Sequence, residues 1–206
     1  MKRQIYVIGD SISIQYGPYL EELLVPEFGY DRKRGTEQAL RDLNVPVGAN
    51  GGDSGMVLAY LQEQREQQVR YDVLLLNCGL HDMKTDPASG SKQIPLEQYR
   101  ANMRRIADIA LSMANQVFWL RTTPLIDEVH NRLNTSFHRF HRDVIDYNAA
   151  ADAIMEQQRI PLLDLYAFTL ALGPDVYCDH VHFKDEVRKQ QAEFIARELR
   201  SRLQQS

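Results

Sequence analysis

The sequence predicts an α/β protein with a central, mostly five-stranded parallel sheet and helices on both faces. Two observations carry this. Short β-rich runs alternate with longer segments of helical period along the chain. One run, "VLLLNCG" from Val73, is almost continuously apolar, as expected of a strand covered on both faces.

The elements follow in order. "QIYVIG" from Gln4 reads as a strand ending at a glycine, and "DRKRG" from Asp31 as a solvated loop. "VPVGANGG" from Val45 reads as a weaker strand. Val57, Leu58, Leu61 and Val69 give a helical stripe before the Val73 strand. "TDPASGSKQIP" from Thr85 is a turn-rich loop. Tyr99, Met103, Ile106, Ala110 and Met113 mark the face of a helix. "QVFWLRTTP" from Gln116 is a strand stopped by Pro124, with Trp119 in the core. The segment 124–143 reads as a long polar loop able to wall a pocket. Val144, Tyr147, Ala151, Ile154 and Met155 mark a third helix, "IPLLDL" from Ile160 a last strand, and Val187, Phe194, Ile195, Leu199 and Leu203 a final helix.

Composition narrows the partners. A chain of 206 residues suits one domain, 1–206, with one sizeable core. The net charge is -4 and no basic stretch is long enough to follow a phosphate backbone, so no nucleic-acid partner is expected. The N-terminal apolar run, "IYVI", is too short for a signal peptide, and nothing approaches the roughly 20 apolar residues of a membrane span. A cytoplasmic protein is expected. Cys78 and Cys178 form no metal-binding spacing and read as free thiols. The sequence leaves the oligomeric state open.

Gly-Asp-Ser occurs twice, at Gly9-Asp10-Ser11 and Gly52-Asp53-Ser54. Ser11 follows the first strand directly. Ser54 and Gly55 follow the next one, "GLHD" (Gly79 to Asp82) follows the Val73 strand, and "DHVHF" (Asp179 to Phe183) precedes the last helix. All four lie on the rim where sheets of this kind bind ligands. A serine hydroxyl needs a base, usually a histidine oriented by a carboxylate, and Asp179 and His182 have a spacing that lets them meet. The backbone N–H groups of Ser11 and Gly55, with a side chain of "GLHD", are candidate oxyanion donors.

These blocks, in this order, resemble the SGNH hydrolases, also called the GDSL esterase/lipase superfamily. The resemblance implies a flavodoxin-like three-layer α/β/α sandwich and metal-independent hydrolysis of esters or thioesters, with no cofactor. It implies Ser11 as nucleophile, His182 as base, Asp179 as its partner, and Ser11, Gly55 and His81 as the oxyanion hole. His81 stands where the family has asparagine, and an imidazole N–H can also donate. Within the family, "GDSISIQYGPYLEELL" resembles members acting on acylated carbohydrates. A short-chain, acetyl-type ester substrate is therefore expected, cleaved through an acyl-enzyme. A lysophospholipase or acyl-thioesterase is the alternative.

Plainer readings stand beside these. Ser54 reads as a loop-shaping or helix-capping residue. "GDSG" is similar to a serine-protease signature, but the α/β pattern does not suit that all-β fold. Asp10 organises its turn, and His180 reads as exposed. His138 and His141 read as a solvated or pocket-edge turn rather than a metal site. Phe137, Phe140, Tyr16 and Tyr19 read as packing rather than sugar stacking. A binuclear metallophosphoesterase needs an early Asp-x-His, and no histidine precedes His81. A non-catalytic binding domain is the remaining rival, and the presence of Ser11, Asp179 and His182 together speaks against it.

Overall fold

In a computed structural model, which describes residues 2–204, five parallel strands run in the order β2-β1-β3-β4-β5. They are β1 (Gln4–Ile8), β2 (Gly29–Arg32), β3 (Tyr71–Leu76), β4 (Ala114–Leu120) and β5 (Leu162–Leu163). The helices are α1 (Ser11–Leu24), α2 (Thr36–Ala39), α3 (Ser54–Glu66), α4 (Leu96–Met113), α5 (Asp127–Leu133), α6 (His141–Gln157), α7 (Leu165–Ala171) and α8 (Asp185–Leu203). α1 packs on α8 and α8 on α7, while α3 packs on α4 and α4 on α6. The two groups cover opposite faces of the sheet, so the predicted α/β class and three-layer plan hold.

The central strands are buried as their composition requires. Val73, Leu74, Leu75 and Leu76 of β3 are all sealed from solvent, as is Trp119 of β4. Each such leucine contributes about 1.5–3 kcal/mol relative to exposure. The faces expected for α4 and α6 are the buried ones. In α8, Phe194 is only partly covered and stacks on Phe168 at 4.7 Å between ring centroids.

Three local expectations fail. "VPVGANGG" is no strand: Pro46 removes a ladder donor, Gly48 turns at φ +57°, and only Asn50 bridges to Gly9. The edge strand is instead β2, "GYDR", so Asp31 and Arg32 of the expected solvated loop pair with Tyr6 and Val7. Its four half-buried residues give no apolar alternation to read. Finally, 124–143 is not all loop, because α5 lies within it.

The order places β1 between β2 and β3, with crossovers leaving in both directions. The loops after β1 and β3 therefore open onto one crevice at the carboxyl end of the sheet, where ligands bind in open α/β folds.

Candidate active site

Ser11 is the first residue of α1, one step past the helix cap. Asp10 is that cap, accepting the Ile12 N–H at 2.9 Å. The strand-to-helix turn is tight: a Cβ on Gly9 would lie 2.8 Å from the Ser13 side chain. Asp10 therefore organises the turn, as expected. Burial pushes its carboxyl up, against the pull of the Ile12 N–H and of the nearby His182 and Arg139.

The loop before α8 is folded back on itself. Tyr177 bridges Phe183, and Cys178 donates its N–H to the His182 carbonyl at 2.9 Å. Within it, Asp179 Oδ1 accepts the N–H groups of Val181 (2.8 Å) and His182 (2.7 Å), and Oδ2 meets His182 Nδ1 at 2.7 Å. Burial alone would raise the Asp179 carboxyl. The His182 ring and the two backbone donors outweigh it and hold the carboxyl well below the ordinary range. A carboxylate at Nδ1 keeps the ring proton there, which leaves Nε2 as an acceptor. Nε2 lies 2.9 Å from Ser11 Oγ. The three residues named from the sequence thus form one hydrogen-bonded series, able to draw the proton off the serine hydroxyl.

Ser54 plays a different part. Asp53, not Ser54, caps α3 by accepting the Met56 N–H at 3.0 Å. Ser54 follows the cap; its N–H goes to both oxygens of Asp82 (2.9 and 3.0 Å), and its buried hydroxyl accepts from Asn102 at 2.9 Å. Its neighbours' first-turn donors being taken, the Gly55 N–H has no acceptor among the described residues, and neither has that of Ser11. Two helix starts therefore offer unpaired N–H groups at this end of the sheet.

The "GLHD" loop is held at every carbonyl. Met83 N–H bonds Gly79 O at 3.1 Å, Lys84 N–H bonds His81 O at 3.3 Å, and Ile94 N–H bonds Asp82 O at 2.9 Å. The remaining one, Leu80 O, accepts from Arg139 Nε at 2.7 Å. Gly79 turns at φ +140°, and a Cβ there would lie 2.8 Å from Thr122 Oγ1. His81 is 3% exposed, and its Nδ1 is buried without a hydrogen-bond partner among the described residues. Burial first, then the charges of Arg139, Lys84 and His182, hold its pKa well below the ordinary histidine range. The ring is thus held neutral, and the Nε2 tautomer would put its one N–H on the nitrogen that is not enclosed.

Burial also pushes the Asp82 carboxyl up, to about 7, against its hydrogen bonds from Ser54. An unfolded aspartate titrates near about 3.9. Asp82 therefore binds a proton in the folded chain where the unfolded chain has lost it. The stability tied to it is present in full below about pH 4 and is lost as the pH rises through about 7. Urea denaturation of the parent and Asp82→Asn checks this. The parent should lose ground to the variant steadily across that window; a constant difference would refute the shift.

Other residues were not legible as site components. His180 is buried rather than exposed: Nε2 meets Asn44 Oδ1 at 2.9 Å, and its ring packs edge-on to His130 (4.8 Å) and His182 (5.8 Å). Arg139 is fully buried beside them, with Nη1 on His130 Nε2 at 3.1 Å. His130 can accept there because burial, then Arg139, push its pKa down to about 3. Nothing in "NTSFHRFHRD" marks one arginine as buried; the flanking Phe137 and Phe140 are the only hint. His141 bonds the Tyr166 hydroxyl at 2.6 Å, and His138 pairs through its backbone with Thr85. Tyr16 is core, and the Tyr19 hydroxyl donates to Asp185.

Asp179, His180 and His182 place ligand-type atoms within 4.8 Å of one another. Both oxygens of Asp179 and both ring nitrogens of His182 are already engaged in the series above. A cation there would have to break it. Among the described residues, no helix is long and apolar enough to cross a membrane.

The sequence model of the GDSL-like lipase/acylhydrolase family matches residues 5–195. Among solved structures, the fold is similar to a lipase/acylhydrolase from Enterococcus faecalis (TM-score 0.72, 16% identity, covering 97% of this chain and 96% of that one). It is also similar to a carbohydrate acetylesterase from Sinorhizobium meliloti (0.67, 14%, 97% and 99%). An acetylxylan esterase from Geobacillus stearothermophilus gives 0.65, with 18% identity over 96% and 94%. No curated protein sequence matches the chain.

Proposed function

This chain belongs to the GDSL-like lipase/acylhydrolase family, and we propose that within it the protein is a metal-independent serine esterase acting on short-chain acyl esters, acetylated carbohydrates foremost. The observation that carries this is the series from Ser11 Oγ through His182 to Asp179. Ser11 Oγ attacks the acyl carbonyl while His182 Nε2 takes its proton, and Asp179 holds the ring and stabilises the imidazolium. The imidazolium then protonates the leaving alcohol, giving an acyl-enzyme and a neutral His182. Water, deprotonated by the same nitrogen, attacks the acyl-enzyme and releases the acid.

The negative oxygen of each tetrahedral step needs donors fixed in advance. The unpaired N–H groups of Ser11 and Gly55 and the Nε2–H of His81 fill that role. Losing one such donor costs about 10²–10³ in turnover. His81→Ala should lose that much while still binding substrate, and His81→Asn should retain most activity because an amide also donates. Parental turnover in His81→Ala would remove His81 from the hole.

Burial supports a small substrate. Ser11, His81 and His182 are each 3% exposed or less, and the Thr85–His138 bridge ties the 124–143 segment across the "GLHD" side. A small acyl group suits so enclosed a centre. The resemblance of the fold to two carbohydrate acetylesterases supports the same reading. The test is a series of esters from acetyl to dodecanoyl, with acetylated sugars alongside, measured with and without chelator. Rates should peak at the short end and ignore the chelator. A steady climb toward dodecanoyl would favour the lysophospholipase or thioesterase reading, and activity restored only by a divalent metal would defeat the serine mechanism.

A further inference from the structure

Arg139 carries a charge that the fold does not neutralise. Its Nε holds Leu80 O and its Nη1 holds a neutral His130, while Cζ sits 4.8 Å from the Phe137 ring centroid. Among the described residues no carboxylate lies within ion-pair distance of it, and Nη2 has no hydrogen-bond partner. Burial lowers its pKa to about 9, partly offset by Asp10, so it stays cationic at neutral pH.

A buried charge set against neutral acceptors is costly. Pinning the Leu80 carbonyl does not require it, since a glutamine amide would serve. Groups within reach of its field ring the reacting atoms: Asp10 before Ser11, His81 on the pinned loop, and His180 against His182. Lys84 adds to it, 4.5 Å from the centroid of the same Phe137 ring.

We propose that Arg139 is the positioning residue of the oxyanion side: it fixes the Leu80–His81 peptide and sets a permanent positive charge beside the His81 ring, so that the negative oxygen forms where the field already favours it. This rests on His81 being an oxyanion donor. A charge fixed in a low-dielectric site needs no reorganisation as the oxyanion appears. It also draws electron density from the His81 ring and strengthens its N–H as a donor. Because negative charge grows only on the way to the tetrahedral state, the effect belongs to turnover and not to ground-state binding.

Arg139→Gln and Arg139→Lys test it. Glutamine keeps a donor for Leu80 O and removes the charge; lysine keeps the charge and loses the fork. In Arg139→Gln, kcat for an acetyl ester should fall by about 10–100-fold with KM within about threefold. Affinity for a small alkylboronic acid, which forms an anionic tetrahedral adduct on the serine, should weaken by the same factor. Arg139→Lys should recover most of both. Parental kcat and boronate affinity in Arg139→Gln would overturn the proposal, as would a loss confined to KM and thermal stability. If Arg139→Gln does not fold, Arg139→Lys decides: turnover as low as in His81→Ala overturns it. Labelling of Ser11 by a phosphonate, together with the His81→Ala rate, separates the two levels. If Ser11 is unlabelled or His81→Ala is fully active, the underlying site reading fails and this proposal falls with it; if both behave as expected, the Arg139 variants judge this step alone.

Discussion

Replacing Ser11 by alanine should abolish ester hydrolysis and leave the fold in place. Among the described residues its Oγ is the one hydroxyl opposite His182 Nε2, at 2.9 Å, so without it the side-chain nucleophile next to the base is gone. The loss should be on the order of 10⁶-fold in turnover, the scale seen when a nucleophile that acts as part of a unit is removed. The fold should survive because alanine is the best helix former and Asp10, not Ser11, caps α1. Ser54→Ala is the control. It leaves the Asn102 amide without its acceptor, which costs about 1–3 kcal/mol of stability, yet the series at Ser11 is untouched. Turnover of a short-chain ester and a melting curve on both variants decide the matter. If Ser54→Ala is the dead one, the two Gly-Asp-Ser copies have exchanged roles.

His182→Ala should be as damaging as Ser11→Ala, on the order of 10⁶-fold. Asp179→Asn should cost less, about 10⁴-fold, and for a reason visible in the loop. The carbonyl of the new side-chain amide would take over the Val181 and His182 N–H groups that Asp179 Oδ1 accepts now. Its NH₂ would then face His182 Nδ1 and force the ring proton onto Nε2, the wrong tautomer for accepting from Ser11. The loop keeps its shape while the base is disabled. Turnover of both variants on one ester, with circular dichroism for the fold, checks the ranking. Equal and complete loss from both would mean that Asp179 does more than orient the ring.

The parts of this molecule that the sequence announces are those whose environment is uniform. β3 is apolar because it is covered on both faces, and "VLLLNCG" says so directly. The faces of α4 and α6 repeat at helical spacing because each helix keeps one side turned inward along its length. α1 is harder to read: Gly17 and Pro18 interrupt its pattern, although both sit inside the helix. β2 is an edge strand of half-buried polar residues, so it lacks the period that would reveal it. At the site, Ser11, Asp179 and His182 are legible because few residue types can form a hydroxyl–imidazole–carboxylate series, and Gly55 and "GLHD" because their order along the chain is informative. Arg139, His130 and His180 are not. Their roles come from burial and mutual contact, and an arginine in a polar segment looks the same buried or solvated until the segment is folded.

Ser11 and His182 stand 171 positions apart, one at the start of α1 and the other just before α8, which packs on α1. On a ribosome the chain emerges from its N-terminus at about 5–20 residues per second. Ser11 is therefore synthesised roughly ten to thirty seconds before its imidazole partner. A chain interrupted between β5 and "DHVHF" contains all five strands and the Ser11 hydroxyl but lacks Asp179 and His182. Fragments that stop short of "DHVHF" should therefore show no ester hydrolysis.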